Sequence, residues 1–282
     1  MIPVAFDYER ATSVDDAIAK LAASGGKAIA GGHSLVPLMK LRLSEPGTLV
    51  DISKIPGLSG IKEVGGKIEI GATTTHAEIA ASKLLRDKCP IVAEAAAEIG
   101  DPQVRNRGTI GGSLAHADPA SDMPAVVIAL DADIQIKGKG GARTVKASAF
   151  FRGFYDVDLA PGELIVAVNF TPVKSAAYAK LHQRASHYAI VGVAAVLDAS
   201  GGTIKSARLG VTGATTHAMR LSNVEAALAG KKGDGLTAAL ASSANDVADV
   251  NADLHASADY RRAMIPVFAK RAVERALARA GA

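Results

Sequence analysis

The chain has 282 residues, of which 49% are hydrophobic and 21% charged, so it is long enough for two or three globular domains with a sizeable core. Its single cysteine, Cys89, excludes an intramolecular disulfide and a four-cysteine iron–sulfur cluster held by this chain alone. Aromatic residues make up only 4% and tryptophan is missing, which argues against a stacking surface for single-stranded nucleic acid.

The net charge of +4 is concentrated near the C-terminus, where residues 260–282 contain six basic residues and one acidic residue. Such a basic segment suits a protein partner or a solvated surface better than a nucleic-acid interface. The N-terminus lacks the basic-then-apolar pattern of a signal peptide, and no apolar run is long enough to span a bilayer. We therefore expect a cytoplasmic protein without a transmembrane segment.

The opening region alternates short strands and helices. Ser13, followed by two aspartates, predicts the start of a first helix that ends at Gly25. Residues 27–30 predict a short strand that runs into a glycine pair, and Ser34 predicts the cap of a second helix. Residues 48–53 predict the next strand.

After Pro56 the pattern changes to hairpins and longer helices. Residues 61–71 predict a hairpin that turns at a Gly-Gly pair. Helices are predicted over residues 75–85 and 89–99, with a polar loop over 101–108. Further strands, which we expect to pair antiparallel because their connections are short, are predicted over residues 126–130, 133–137, 143–146 and 164–170.

A boundary is predicted near residues 171–175, and the remaining chain predicts a second sheet followed by helices. The strands are predicted over residues 177–182, 190–197 and 204–211, and the helices over residues 223–229 and 236–248. A final helix is predicted to run to the C-terminus, kinked or split by Pro266.

Two glycine pairs lie beside small or hydroxyl side chains, and each is predicted to follow a strand. Glycine allows the backbone to approach a ligand closely, and consecutive backbone N–H groups can form an anion-binding concavity. Two such turns indicate a ligand with several phosphate oxygens held from two sides, whereas tight turns without a ligand are the alternative. The two segments are Ala30-Gly31-Gly32-His33-Ser34 and Thr109-Ile110-Gly111-Gly112-Ser113.

The common nucleotide and hydrolase motifs do not fit these segments. The Gly-x-Gly-x-x-Gly fingerprint of Rossmann domains and the P-loop motif are both missing from the sequence. Gly32-His33-Ser34 and Gly112-Ser113 lack the final glycine of the Gly-x-Ser-x-Gly elbow, which disfavours a serine hydrolase.

Several polar residues near the second pair have two possible roles. His116 and Asp118 are either metal ligands or, since further ligands at suitable spacing are missing, hydrogen-bonded loop residues. Asp122 either caps a following helix or accepts a hydrogen bond from a hydroxyl or ring N–H of a ligand. Arg105 and Arg107 are either solvated or meet anionic groups of a ligand or partner.

Taken together, these segments resemble the flavin-binding chain of the molybdenum hydroxylases, most closely the medium subunit of carbon monoxide dehydrogenase-type enzymes. The FAD domain of xanthine dehydrogenase is a more distant relative. The resemblance covers essentially the whole chain and is carried by residues 3–8, 30–43, 99–113, 180–191, 210–214 and 256–262.

The resemblance implies an α+β fold with a two-lobed FAD-binding domain of the vanillyl-alcohol-oxidase or PCMH type. The lobes would span residues 1–55 and 56–173. A C-terminal domain of the carbon monoxide dehydrogenase flavoprotein type, a small three-stranded antiparallel sheet with helices, would span residues 174–282.

The resemblance also implies roles for single residues. Residues 30–34 and 109–113 would hold the pyrophosphate and ribityl region of FAD, and Asp122 would bond the flavin or the chain near it. Lys180 would bond a flavin carbonyl, and Tyr188 would stack on the ring system, whereas without the resemblance a tyrosine in this position is more often a packing residue than a stacking one. Ile99 and Ile165 would line the pocket.

The sequence departs from the family at two positions, with Ser113 where asparagine is common and His187 where aspartate is common. Ser113 keeps a hydrogen-bonding side chain, so FAD binding should persist. The histidine changes the expected charge near the flavin.

The family's partners are a molybdopterin-containing large subunit and a small subunit with two [2Fe–2S] clusters, assembled as a dimer of heterotrimers. Electrons would pass from the clusters through FAD to an external acceptor. Two alternatives stay open from sequence: a stand-alone flavin oxidoreductase resembling the enolpyruvyl-sugar reductases, and a non-enzymatic assembly module with a degenerate flavin site.

Overall fold

The computed structural model describes residues 2–281, and its first lobe is built around a small parallel sheet with the strand order β1-β3-β2. Ser13 accepts a hydrogen bond from the amide of Asp16 at the start of α1, and the helix ends at Gly25 in the left-handed conformation, as predicted. The elements are β1 (Asp7–Arg10), α1 (Val14–Ser24), β2 (Lys27–Ile29), α2 (Leu35–Lys40) and β3 (Thr48–Asp51).

The second lobe is built on an antiparallel sheet with the strand order β4-β5-β10-β6-β7. Its strands are β4 (Ile61–Val64), β5 (Lys67–Gly71), β6 (Asp133–Gly138), β7 (Gly141–Lys146) and β10 (Leu164–Phe170), with a separate small hairpin β8 (Phe151–Gly153) and β9 (Asp156–Val157). The helices are α3 (His76–Ala81), α4 (Lys83–Lys88), α5 (Pro90–Ala97), α6 (Pro102–Arg105), α7 (Ile110–His116), α8 (Asp122–Ala129) and α9 (Ala147–Phe150).

The strand predicted over residues 126–130 is wrong, because these residues belong mainly to helix α8. Every residue of α8 is buried, so no polar face marks its helical period. A short apolar run of this kind cannot be told from a buried strand by pattern alone. The helix predicted over residues 75–85 is also divided, since Ser82 ends α3 and caps α4.

The C-terminal domain contains the three predicted strands, extended by a further two-residue strand in the order β11-β12-β13-β14. Its elements are β11 (Ala176–His182), β12 (Ala189–Ser200), β13 (Thr203–Thr212), β14 (Met219–Arg220), α10 (Ser222–Leu228), α11 (Asp234–Ala241), a 3-10 turn (Ser243–Asp246) and α12 (Ala258–Ala280). Helix α12 packs on β11 and β12 and is not split at Pro266.

The C-terminal sheet packs directly on helix α8. A β carbon at Gly210 would collide with the carbonyl oxygen of Ala125, so only glycine permits this approach. Arg208 donates to the carbonyl of Ala129 at 2.8 Å. The fully buried α8 is therefore shared between the second lobe and the C-terminal domain.

The basic segment of α12 is largely engaged within the chain. Arg261, Arg262, Arg275 and Arg279 each donate to main-chain carbonyl groups, and Arg279 also pairs with Glu94 of α5. The concentrated positive charge therefore serves mainly to hold the helix against the rest of the protein. No helix within residues 2–281 is both long and apolar enough to cross a membrane.

Candidate functional site

The two glycine segments lie against each other in the fold. We call residues 30–34 the first glycine loop and residues 109–113 the second glycine loop. A β carbon at Gly31 would collide with the carbonyl oxygen of Arg107 and lie 3.0 Å from the α carbon of Gly108. The first loop thus contacts the stretch immediately before the second, and the two border the same region.

The second glycine loop is the start of a helix and does not follow a strand, which corrects the prediction. The Thr109 side chain accepts a hydrogen bond from the amide of Gly112 and caps α7. The loop amides already have protein acceptors: Ile110 bonds the Thr74 carbonyl at 3.1 Å, Gly111 the Ala72 carbonyl at 2.8 Å, Gly112 the Thr109 hydroxyl at 3.1 Å and Ser113 the Thr109 carbonyl at 2.9 Å. These amides therefore do not form the open anion-binding concavity expected from sequence.

The first glycine loop has the opposite character. Within residues 2–281, the amides of Gly31, Gly32, His33 and Ser34 have no hydrogen-bond acceptor in the protein. Gly32 has a φ of 74°, which favours glycine. Ser34 precedes α2, but its side chain makes no capping bond, contrary to the prediction. Free amides of this kind suit the oxygens of a phosphate group.

His76 packs against Gly108, next to the point where the two loops meet. Its place at the site was not predicted from the sequence. The His76 amide donates to the Gly108 carbonyl at 2.9 Å, and a β carbon at Gly108 would lie 3.0 Å from the His76 ring. The ring is buried and its Nδ1 has no partner among the described residues. Burial lowers the pKa of His76 to about 4, so the ring is neutral at physiological pH.

A buried carboxylate adjoins the second glycine loop. The Ser113 and Ser121 hydroxyls lie 2.7 Å apart and connect the loop to the start of α8. Asp122, in the first turn of α8, is 4% exposed. Lys180 donates to Asp122 at 3.0 Å and to the carbonyl of Glu98 at 2.8 Å. The structure thus unites Asp122 and Lys180, which lie far apart in sequence.

The Asp122 carboxyl group is held by partners on strand β11. The Tyr178 hydroxyl donates to Asp122 Oδ1 at 2.5 Å, and Lys180 bonds Oδ2. Burial raises the pKa of Asp122 to about 6, although the Lys180 charge and the bonds from Tyr178 and Lys180 act in the opposite direction. Lysine has three N–H donors, of which Asp122 and Glu98 use two.

Tyr188 has a half-exposed ring at the edge of a cleft of about 330 Å³, which is also lined by Tyr155 and Arg261. An exposed aromatic face is compatible with stacking on a flat ring system. Ile165 is 5% exposed and packs in the core of the second lobe, whereas Ile99 is half-buried just after α5.

Asp118 and Arg105, two other polar residues near the second loop, have hydrogen-bond partners within the protein. Asp118 accepts hydrogen bonds from the Tyr155 hydroxyl at 3.0 Å and from the amide of Ala120. The part of the chain that the structure describes contains no cluster of three or more His, Cys, Asp or Glu suited to a metal ion. Arg105 donates to the carbonyls of residues 99 and 100, and Arg107 has an exposed side chain.

Comparison with known proteins shows which family the chain belongs to. The family described as "FAD binding domain in molybdopterin dehydrogenase" matches residues 4–172, and the "CO dehydrogenase flavoprotein C-terminal domain" matches residues 176–276. The chain belongs to the FAD-binding subunits of the molybdopterin dehydrogenases. The α+β fold class, the FAD cofactor and the oxidoreductase class predicted from sequence are thereby confirmed.

Relatives of this family match the chain over its full length. The carbon monoxide dehydrogenase medium chain of Hydrogenophaga pseudoflava is 40% identical, with 99% of both chains covered. The 6-hydroxypseudooxynicotine dehydrogenase complex subunit alpha of Paenarthrobacter nicotinovorans is 41% identical, covering 99% of this chain and 97% of the relative. A solved structure of carbon monoxide dehydrogenase from Hydrogenophaga pseudoflava superposes with a TM-score of 0.95 at 41% identity, covering 99% of both chains.

Proposed function

We propose that this chain is the electron-transfer subunit of a heteromeric molybdenum hydroxylase. Its partners would be a molybdopterin-containing large subunit and a small subunit with two [2Fe–2S] clusters, in a cytoplasmic dimer of heterotrimers. Bound FAD would supply the redox chemistry by which electrons from the clusters reach an external acceptor. The observation that carries the proposal is the end-to-end similarity to relatives named as one chain of a complex.

The residues of the site fit FAD in a specific way. We propose that the free amides of residues 31–34, together with Ala30, bind pyrophosphate oxygens, because they have no protein acceptor in the described chain. The second loop, residues 109–113, would contribute the exposed surface of Gly112 and the hydroxyl of Ser113 to the ribityl region. The amides of this loop, which already donate to protein acceptors, would hold the loop in a fixed conformation beside FAD.

We propose that the flavin end lies near the Asp122–Lys180 pair. The third N–H of Lys180 would donate to a flavin carbonyl, and Asp122 would accept from a hydroxyl or ring N–H of FAD. Tyr188 would cover one face of the ring, and Ile99 and Ile165 would form the apolar wall. We also propose the division of the chain at residues 1–55, 56–173 and 174–282, which the separate sheets support.

The similarity of this chain to its relatives does not favour one substrate over another. The two relatives are named for carbon monoxide dehydrogenase and for 6-hydroxypseudooxynicotine dehydrogenase, although both are about equally similar to it. Substrate choice would then belong to the large subunit.

Purification of the tagged chain from its native host tests the proposal. We expect two further chains to co-purify, with molybdopterin and iron–sulfur clusters, and FAD to be released on denaturation. A chain that purifies alone, and oxidises NADPH without partners, would instead indicate a stand-alone flavin oxidoreductase. A folded chain that neither contains nor takes up FAD in any assembly would indicate the degenerate module.

A further inference from the structure

Tyr178 connects the C-terminal domain to the buried carboxylate of α8. Its side chain is 1% exposed, and its hydroxyl lies 2.5 Å from Asp122 Oδ1. Lys180 follows two residues later on β11 and therefore points to the same face of the sheet. A single strand thus supplies a partner to each oxygen of Asp122.

The neighbouring strand leaves space for the Tyr178 hydroxyl. A β carbon at Gly192 would collide with this hydroxyl and would lie 3.0 Å from Cζ of the ring. Gly192 is the register partner of Lys180 on β12. The main chain of Tyr178 is also held, because Arg275 of α12 donates to its carbonyl at 3.1 Å. The phenol is therefore fixed by packing on several sides.

We infer that Tyr178 is a positioning residue of the FAD site, which holds the Asp122 carboxylate ionised and oriented, with Lys180, toward the cofactor. This inference rests on the proposed function, which places Asp122 and Lys180 at the flavin end. Tyr178 acts through Asp122: its hydroxyl donates to one carboxylate oxygen and leaves the remaining lone pairs available.

The charged and hydrogen-bonding groups around Asp122 set its pKa, so the role of Tyr178 can be measured as a change in that pKa. Lys180 and Tyr178 face it from β11, and Glu98 faces it from the end of α5. Tyr188 also lies near it, and its pKa is raised by burial and then by the charges of Asp118 and Asp122. Burial and Glu98 raise the pKa of Asp122, whereas Lys180 and Tyr178 lower it. Loss of the Tyr178 hydroxyl therefore raises the pKa of Asp122 and moves its ionisation to higher pH.

The test is the pH profile of FAD affinity in the Tyr178→Phe variant. The multisubunit complex is purified, its FAD is removed, and FAD is titrated back by flavin fluorescence from about pH 5 to about pH 8. Wild-type affinity is expected to rise with pH through about pH 6 as Asp122 ionises. In Tyr178→Phe we expect a dissociation constant about tenfold higher near neutral pH and a midpoint at higher pH.

Tyr8→Phe is the matched control, because the Tyr8 hydroxyl donates to Asp51 at the same 2.5 Å distance in the first lobe. It should keep the wild-type FAD dissociation constant and midpoint. The Asp122→Asn variant should lack the change in affinity that Asp122 ionisation gives the wild type. Adding Tyr178→Phe to Asp122→Asn should then change the affinity little, since the phenol acts through the carboxylate.

A wild-type dissociation constant and midpoint in Tyr178→Phe would overturn the inference. Weaker binding by the same factor at every pH, with a lower melting temperature, would also overturn it, because that result indicates only a packing role. If the wild-type complex binds no FAD at any pH, the proposed function itself fails. This outcome differs from those that overturn only the role of Tyr178.

Discussion

Gly31 approaches the carbonyl group of Arg107 so closely that no side chain fits between them. This contact brings the first glycine loop against the stretch that leads into the second. Because of this contact, even the methyl group of an alanine at position 31 would push the two loops apart.

We predict that Gly31→Ala weakens FAD binding at least about tenfold and lowers the free energy of unfolding by about 1–3 kcal/mol, because the added β carbon meets rigid backbone. FAD titration and thermal unfolding measure the two effects. Gly47→Ala is the control in the same lobe, since nothing lies within 4 Å of the added carbon. Equal behaviour of the two variants would contradict the apposition of the loops.

The sequence located both glycine loops but not the distinct reason for each glycine. Gly31 and Gly111 are required because main chain from elsewhere lies where their side chains would be, Arg107 in one case and Ala72 in the other. Both contacts join residues distant in sequence, so no local pattern reveals them. The resemblance to a family, by contrast, is carried by the motif as a whole and does not depend on knowing each role.

The pH dependence of stability should change when Asp122 is replaced by asparagine. Its folded pKa of about 6 lies above the unfolded value of 3.8, so the folded state binds more protons between these values. The stabilising contribution of protonated Asp122 is therefore present below about pH 4 and lost as the pH rises through about 6, by up to about 3 kcal/mol.

The measurement is the difference in unfolding free energy between Asp122→Asn and the wild type, followed across this pH range in the FAD-free chain. We expect the variant to gain stability relative to the wild type as the pH rises. A constant difference would show that Asp122 titrates alike in both states.

His76 should give the free energy of unfolding a pH dependence opposite in sign to that of Asp122. Its folded pKa of about 4 lies below the unfolded value of 6.5, so the unfolded state binds more protons in this window. The stability that neutral His76 provides is present above about pH 6.5 and lost as the pH falls toward 4, by about 3 kcal/mol.

We predict that His76→Phe removes this loss while filling the same buried volume beneath Gly108. Urea unfolding at several pH values, compared with the wild type, measures the change. A variant that loses stability with acid as steeply as the wild type would show that His76 is not buried as the structure places it.

The docking of the C-terminal domain on α8 should depend on Gly210. We predict that Gly210→Ala lowers the free energy of unfolding by about 1–3 kcal/mol, because the new β carbon collides with the Ala125 carbonyl. Trypsin should then cleave faster after the exposed Lys174 between the domains. Gly140→Ala, with nothing within 4 Å of its added carbon, should be cleaved like the wild type.

Elements with one apolar and one polar face were predictable from sequence. Elements buried between two parts of the fold, such as α8, were not. Helix α1 has an N-cap serine, an apolar face and a terminal glycine, so its ends are local information. Helix α8 is buried all round, and its period is invisible. The Tyr178–Asp122 bond joins β11 to α8 across the sequence, so only the fold could reveal it.

A crystal structure with bound FAD would show whether the first glycine loop binds the pyrophosphate and the Asp122–Lys180 pair the flavin. We predict that pyrophosphate oxygens lie within hydrogen-bonding distance of the amides of residues 31–34, with the flavin ring beside Lys180 and Tyr188. If FAD is bound away from these amides, or if the loops of Gly31 and Gly111 open onto different surfaces around it, the two loops do not form the FAD site.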